Sequence, residues 1–247
     1  MVTITKPNTE QPVKTALTNS QKERIYRFRY EIEVAELGKR PVGTNDQHRI
    51  VYDDLDETGT HYFVESEGRI LAVARRNSFH NSRISEPLRQ AFQLDAFRDW
   101  SGHQLGMTSR LIVAPIARGS LYRTVLKKAF EDGRSNGTLF EFQYCREPLA
   151  RLYFRMGFRQ LGKAFDLNDQ TFVPMVLVTT DINHLEASGS PFREVARQFP
   201  LGDSSNWFKN QFKHLDELET AMPCRRCRNC ASCPKRTSNI TQRQPAR

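Results

Sequence analysis

Long apolar runs are missing from this sequence. No stretch approaches the roughly 20 apolar residues that a membrane helix requires. Met1–Ser20 is polar, rich in Thr and Lys, and lacks the apolar core of a secretory signal. These absences predict a cytoplasmic protein without a membrane span, and make residues 1–20 a disordered lead-in. Acid is missing from the C-terminal end. From Cys224 to Arg247 the chain carries Arg225, Arg226, Arg228, Lys235, Arg236, Arg243 and Arg247 and no Asp or Glu. Cysteine is almost absent elsewhere: four of the five fall within one ten-residue stretch of that region, leaving Cys145 alone in the body. No internal repeat is visible, so a solenoid is not expected.

What is present suffices for a large α/β domain with an appendage. The 247 residues are 38% hydrophobic with 16 Phe, enough to bury a sizeable core. The net charge of +9 suits an acidic partner, which could be nucleic acid, a membrane surface or a carrier protein.

Periodicity predicts the elements. Residues 21–38 form an amphipathic helix stopped by Gly38, and residues 61–66 and 69–75 form a hairpin around Glu67-Gly68. Residues 84–100 form another helix, with Leu88, Phe92, Phe97 and Trp100 near one face. Residues 109–114 are a buried strand, 121–134 a helix closed by Asn136-Gly137, and 138–144 a strand broken by Pro148. A short helix over 149–156 and a strand over 172–179 follow. The pattern is α/β (α+β) with a mixed central sheet flanked by helices. The boundaries expected are a domain over 21–180, a helical extension over 181–222 and a Cys-rich tail over 223–247.

Chemistry concentrates in two segments. Leu111 to Ser120 is a strand ending in a small-residue turn that opens a helix, an arrangement that leaves backbone N–H groups for a phosphate. Arg118 adds charge, and Gly119 permits close backbone approach. About 30 residues on stands Leu152-Tyr153-Phe154-Arg155-Met156-Gly157-Phe158. The pair resembles the pyrophosphate-binding turn and the Tyr-x-x-x-Gly-Phe helix end of the GNAT superfamily, although Leu121 stands where many members carry Gly or Ala. In the N-terminal half, Arg29-Tyr-Glu-Ile-Glu33, Asp53-Asp-Leu-Asp56, Arg75 and Ser109-Arg110 resemble the acyl-homoserine-lactone synthase pattern, shared by the N-acyl amino acid synthases. The resemblance spans residues 21–162. Two positions depart from it: Glu33 replaces an aromatic, and Met107 replaces a Glu, which weighs against lactone production.

The resemblance implies an N-acyltransferase that takes an acyl group, long-chain by expectation, from the phosphopantetheine of an acyl carrier protein or from acyl-CoA. The acceptor is the amine of an amino acid or similar small molecule. Acyl-homoserine-lactone synthesis and acetyl-CoA-dependent N-acetyl transfer are the alternatives. It places the donor phosphates on Arg118, Gly119 and Ser120 beside Val113, and makes Tyr153 the acid for the departing thiolate. Arg29, Asp53, Asp56, Arg75, Ser109 and Arg110 match the charged acceptor side. Asp53, Asp56 and Arg75 equally suit a structural ion-pair network. Such chemistry needs a base, for which Glu33 and Glu141 are candidates, and an oxyanion donor, expected from a strand bulge at residues 112–114. Phe92, with Phe79, Leu88, Leu94 and Phe97, lines an acyl tunnel or packs a core. Cys145 is expected to be a bystander thiol.

The tail stands outside the resemblance. Cys224, Cys227, Cys230 and Cys233 supply four thiolates, a complete shell for Zn²⁺ or the ligands of an iron–sulfur cluster. A basic metal-bound finger is also a candidate nucleic-acid or protein contact, which gives a second reading: a GNAT-like scaffold that works through its tail.

Overall fold

The computed structural model describes residues 11–119, 121–199, 202, 204–213 and 215. The four tail cysteines and Ser120 lie outside the described residues. The chain divides into two units, residues 1–211 and 212–247. Of the second, only Phe212, Lys213 and Leu215 are described.

The first unit is built on one sheet. Its strands are β1 (Lys14–Thr15), β4 (Thr60–Ser66), β5 (Arg69–Ser78), β6 (Leu105–Val113), β7 (Phe140–Cys145), β8 (Arg159–Gln160), β9 (Phe165–Leu167) and β10 (Gln170–Val178). A separate ribbon pairs β2 (Thr44–Asn45) with β3 (Ile50–Val51). The strand order is β1-β4-β5-β6-β7-β10-β8, with β9 on β10. All pairings are antiparallel except β6–β7. The mixed sheet expected from the sequence is therefore the one observed.

Alternation along the strands explains why both faces are covered. Phe63, Val73 and Ile112 pack with Ile25, Phe28 and Ile32 on one face. Tyr62, Ala72 and Ala74 pack with Leu121, Val125 and Ala129 on the other. Leu121, Val125 and Ala129 belong to α4 (Leu121–Ser135), whose apolar residues recur every three to four positions. The hairpin turn is Glu67-Gly68, with φ of 50° and 75°, the mirror-image turn that matches strand twist.

Four expectations change. Part of the lead-in is ordered: β1 pairs with β4, and Thr18 caps α1 (Asn19–Arg29) in a reciprocal capping box with Gln21. The first helix continues past Arg29 as a π-helix, Tyr30–Glu36, in which the Leu37 amide reaches back five residues to the Ile32 carbonyl at 3.1 Å. The helix expected over 84–100 is two short pieces, α3 (Glu86–Ala91) and a 3₁₀ turn at Leu94–Phe97, because Gln93 takes φ 51° between them. Pro148 opens α5 (Glu147–Arg155) near its N-terminus rather than breaking the preceding strand.

The boundary expected near residue 180 is also displaced. The helices α6 (Ile182–Ala187), α7 (Arg193–Ala196) and α8 (Ser204–Gln211) belong to the first unit. Phe192 stacks on Phe130 of α4 at 4.6 Å, and Trp207 of α8 meets Phe97, Trp100 and Phe140 at 5.2–5.4 Å. Among the described residues no helix is long and apolar enough to cross a membrane.

Candidate active site

The sheet opens between β6 and β7. Their parallel ladder holds only at Leu105↔Phe140, Gly106↔Glu141 and Met107↔Phe142, yet β6 runs on to Val113 and β7 to Cys145. Beyond Met107 the two strands part and leave a wedge with unpaired backbone on both sides.

A bulge shapes one side of that wedge. Arg75 pairs with Ser109 and Val73 with Ile112, so β6 carries one more residue than β5 between the two points. The extra residue falls at Arg110–Leu111, with Arg110 at φ 52°. The bulge thus lies two residues before the expected position. Ala114 donates its N–H to Leu71 O at 2.8 Å. By alternation, the Leu111 and Val113 N–H groups face the wedge, whereas those of Ile112 and Ala114 face β5. The bulge also brings Ser109 and Arg110 to the same face of the sheet.

On that face the expected charged residues meet. Arg29 donates from Nη1 to both oxygens of Asp56, at 2.8 and 2.9 Å. Arg75 reaches Asp53 at 2.5 Å, Asp56 at 2.7 Å and Ser109 Oγ at 3.2 Å. Arg110 reaches the second Asp53 oxygen at 2.5 Å and Val42 O at 2.8 Å. The Asp53-Asp-Leu-Asp56 segment is tied to itself, since Asp53 N donates to Asp56 Oδ2 and Leu55 N to Asp53 Oδ1. With Glu33, 3.6 Å from Arg110, three cations face three carboxylates. That balance makes burial of Arg29, Asp56 and Arg75 tolerable. Burial alone would raise the Asp56 carboxyl, but Arg29 and Arg75 outweigh it and hold it below the ordinary range. Asp53 is likewise lowered, its burial outweighed by Arg75 and Arg110.

His61 completes the cluster and was not singled out from the sequence. It is fully buried between Arg29 Nη2, 3.2 Å from Nδ1, and the Asp56 carbonyl, 3.2 Å from Nε2. Burial, then Arg29, push it down to about 4, so it is neutral, accepting at Nδ1 and donating at Nε2.

Glu33 stands apart from the rest. Its Oε2 is buried without a hydrogen bond, while the other carboxylates of the cluster are saturated. The π-helix presents it, and the same segment ties Glu36 to Arg118 at 2.8 Å. Arg118 is half-exposed, and Gly119 has φ 102° with open space around it. Val113 pairs with Ala72 at the end of β6.

The opposite face of the sheet holds the remaining candidates. Tyr153 on α5 is buried, and its hydroxyl accepts from Gln143 Nε2 at 3.0 Å. Burial raises its pKa. Glu141 does not fit the role of base. Arg76 occupies one of its oxygens at 3.1 Å and Thr108 the other at 2.6 Å, and the pair is sealed under Gly106 and Gly133, where a Cβ would collide with Arg76. Burial raises its carboxyl, against Arg76 and Thr108. Cys145 is buried 3.6 Å from Met175 Sδ, and burial pushes its thiol up to about 12, so it is no nucleophile at neutral pH.

Phe92 is fully buried against Phe142 at 5.1 Å, in a cluster with Phe79 and Phe97. Tyr144, also missed, points from the end of β7 toward the Arg110 side. Burial raises its phenol while Arg110 and Arg75 oppose that, and its ring meets Phe172 at 5.1 Å and Phe165 at 6.2 Å. Met107 is fully buried where the lactone-synthase pattern has Glu, so no carboxylate stands there. Among the described residues no group of three or more His, Cys, Asp or Glu is placed to hold a metal.

Solved structures share this architecture. BjaI, a CoA-dependent acyl-homoserine lactone synthase solved with MTA, matches at a TM-score of 0.58 and 15% identity over 76% of this chain and 98% of its own. The chain shares the fold of this structure. TofI, solved in a ternary complex with an inhibitor and MTA, gives 0.55 and 16% over 74% and 98% of the two chains. FeeM, an N-acyl amino acid synthase from uncultured soil microbes, gives 0.57 and 7% over 75% and 97%. At these identities the likeness is one of fold. No protein-family model and no curated protein matches the chain.

Proposed function

We propose that this chain is an N-acyltransferase that moves an acyl group from a phosphopantetheine thioester to the amine of an amino acid or similar small acceptor. The observation that carries this reading is the wedge: unpaired strand edges beyond Met107, with a charge-balanced cluster on one face and a phenol on the other. Fold neighbours that use thioesters support it. BjaI and MesI are CoA-dependent synthases, and FeeM is an N-acyl amino acid synthase.

The donor's phosphates would rest on the Arg118–Gly119 turn, its arm entering between β6 and β7. The thioester carbonyl oxygen would receive the Leu111 or Val113 N–H as it becomes an oxyanion. Glu33, whose Oε2 has no hydrogen bond and lies 3.6 Å from Arg110, would accept the proton the amine loses. Arg110, fixed by Asp53, stands beside it. The saturated Arg29–Asp56–Arg75 core then acts as scaffold for Asp53 and Arg110. Tyr153 would return a proton to the leaving sulfur. Coenzyme A and an acyl carrier protein present the same arm, and the basic surface is compatible with an acidic carrier. The Glu-to-Met change at Met107 favours an acceptor other than the one lactone synthases use.

Lipid extracts from cells overproducing the chain test this. A new N-acyl amine is expected, its mass naming acyl length and acceptor, and it should fall about 100-fold or more in Glu33→Gln. A product undiminished in Glu33→Gln would remove that residue as base. No product in any extract would count against the small-molecule acceptor.

A further inference from the structure

Gln143 is the first residue of β7 past the last β6–β7 pair, on the face that carries Tyr153. It is 5% exposed, and its two ends differ. Nε2 donates to the Tyr153 hydroxyl at 3.0 Å and to the Tyr144 carbonyl at 3.2 Å, so both of its hydrogens are used. Oε1 is buried without any donor. A buried amide oxygen without a donor costs free energy, and native structures rarely leave one so without a purpose.

We propose that Gln143 is the positioning residue for proton return: its amide nitrogen holds the Tyr153 hydroxyl, and its free carbonyl oxygen accepts an N–H from the amide arm of the thioester donor. The inference rests on the acyl-transfer reading above. In the step itself, the amine nitrogen bonds to the carbonyl carbon as the C–S bond breaks. The sulfur takes the Tyr153 proton, and the proton lost by the amine, passed through Glu33 and water, restores the phenol. Amide and thiol are the only products. While Tyr153 is a phenolate in the interior, the Gln143 N–H is the donor that stabilises it. Its burial otherwise makes the phenol a weak acid. Seating the donor's arm on Oε1 ties it to the same side-chain amide that already holds the phenol at 3.0 Å, so one residue sets the arm and the acid relative to each other.

Two variants of full-length protein, Gln143→Leu and Gln143→Met, test this, with thermal unfolding to check that each folds. The first readout needs no turnover. Calorimetric titration with acetonyl coenzyme A, a thioether that keeps the arm's amides, should show about tenfold weaker binding in both variants. The same thioether arm on an acyl carrier protein forms the second titration, and the tighter of the two names the natural source. The second readout is kcat set against acceptor KM. In the variants kcat should fall about 100-fold with acceptor KM unchanged. In a Tyr153→Phe background, adding Gln143→Leu should cost nothing more in kcat. Thioether binding equal to that of the unmodified chain, or a further loss of kcat when Gln143→Leu is added to Tyr153→Phe, overturns the proposal. Should the unmodified chain bind the thioether yet transfer nothing to any amine, the acyl-transfer reading fails, while the binding comparison still decides the contact to the arm.

Discussion

His61 shows how a residue the sequence does not flag can govern behaviour. Its proton affinity is about 4 when folded against about 6.5 in a free chain, and His184, also displaced chiefly by burial, lies near 4 as well. The unfolded chain therefore binds protons that the native state refuses, and stability falls as pH drops from about 6.5 toward 4. Each histidine should cost on the order of 2 kcal/mol at pH 5 relative to pH 7.5. Asp53 and Asp56, both lowered, add nothing until below their unfolded values near 4. Urea unfolding at the two pH values checks this, and equal stabilities would show that these imidazoles are not the neutral groups described. At this scale Arg29, Asp53, Asp56, Arg75 and Arg110 were legible through their resemblance to the acyl-homoserine-lactone synthase pattern, and the structure brings them together. Gln143, Tyr144 and His61 were not. A single polar residue in a strand gives no sign of which face it occupies until the end of the β6–β7 ladder is known.

Among the elements, the π-helix decides most. It carries Glu33 toward Arg110 and Glu36 toward Arg118, linking the charged cluster to the turn at the head of α4. Both ends of the Glu36–Arg118 pair are partly exposed, so it adds little to stability. It does occupy the guanidinium that the proposed function assigns to a phosphate. Glu36→Gln is expected to bind coenzyme A about threefold more tightly, with an unchanged unfolding midpoint, since a competing anion has been removed. Weaker binding would mean that Glu36 helps to seat the ligand. Periodicity found this helix but not its change of pitch, because apolar residues at Ile25, Phe28 and Ile32 fit an α-helix equally well. Gln93 hid in the same way: nothing in the composition of residues 84–100 shows that a non-glycine residue will take a left-handed conformation there. The bulge at Arg110 lay two residues from its expected place for a similar reason, since its register depends on pairing with β5.

For the whole molecule, the mixed sheet was foreseeable from the order strand–helix–strand–helix–strand, whereas its parting between β6 and β7 was not, since it depends on where the ladder between them ends. The ordering of residues 11–20 and the inclusion of α6–α8 in the first unit were not, as both depend on aromatic and edge-strand contacts between residues distant in sequence. What unites the levels is one claim: the wedge takes a thioester, and its two faces supply a base and an acid to an amine. The most direct measurement is thiol release by the purified chain from acyl-CoA and acyl-carrier thioesters, with and without a panel of amino acids and simple amines. Release that needs both a thioester and one class of amine, and that drops about 100-fold in Tyr153→Phe, is the expected result. Thiol release that ignores the amine, or none from any thioester, would contradict it.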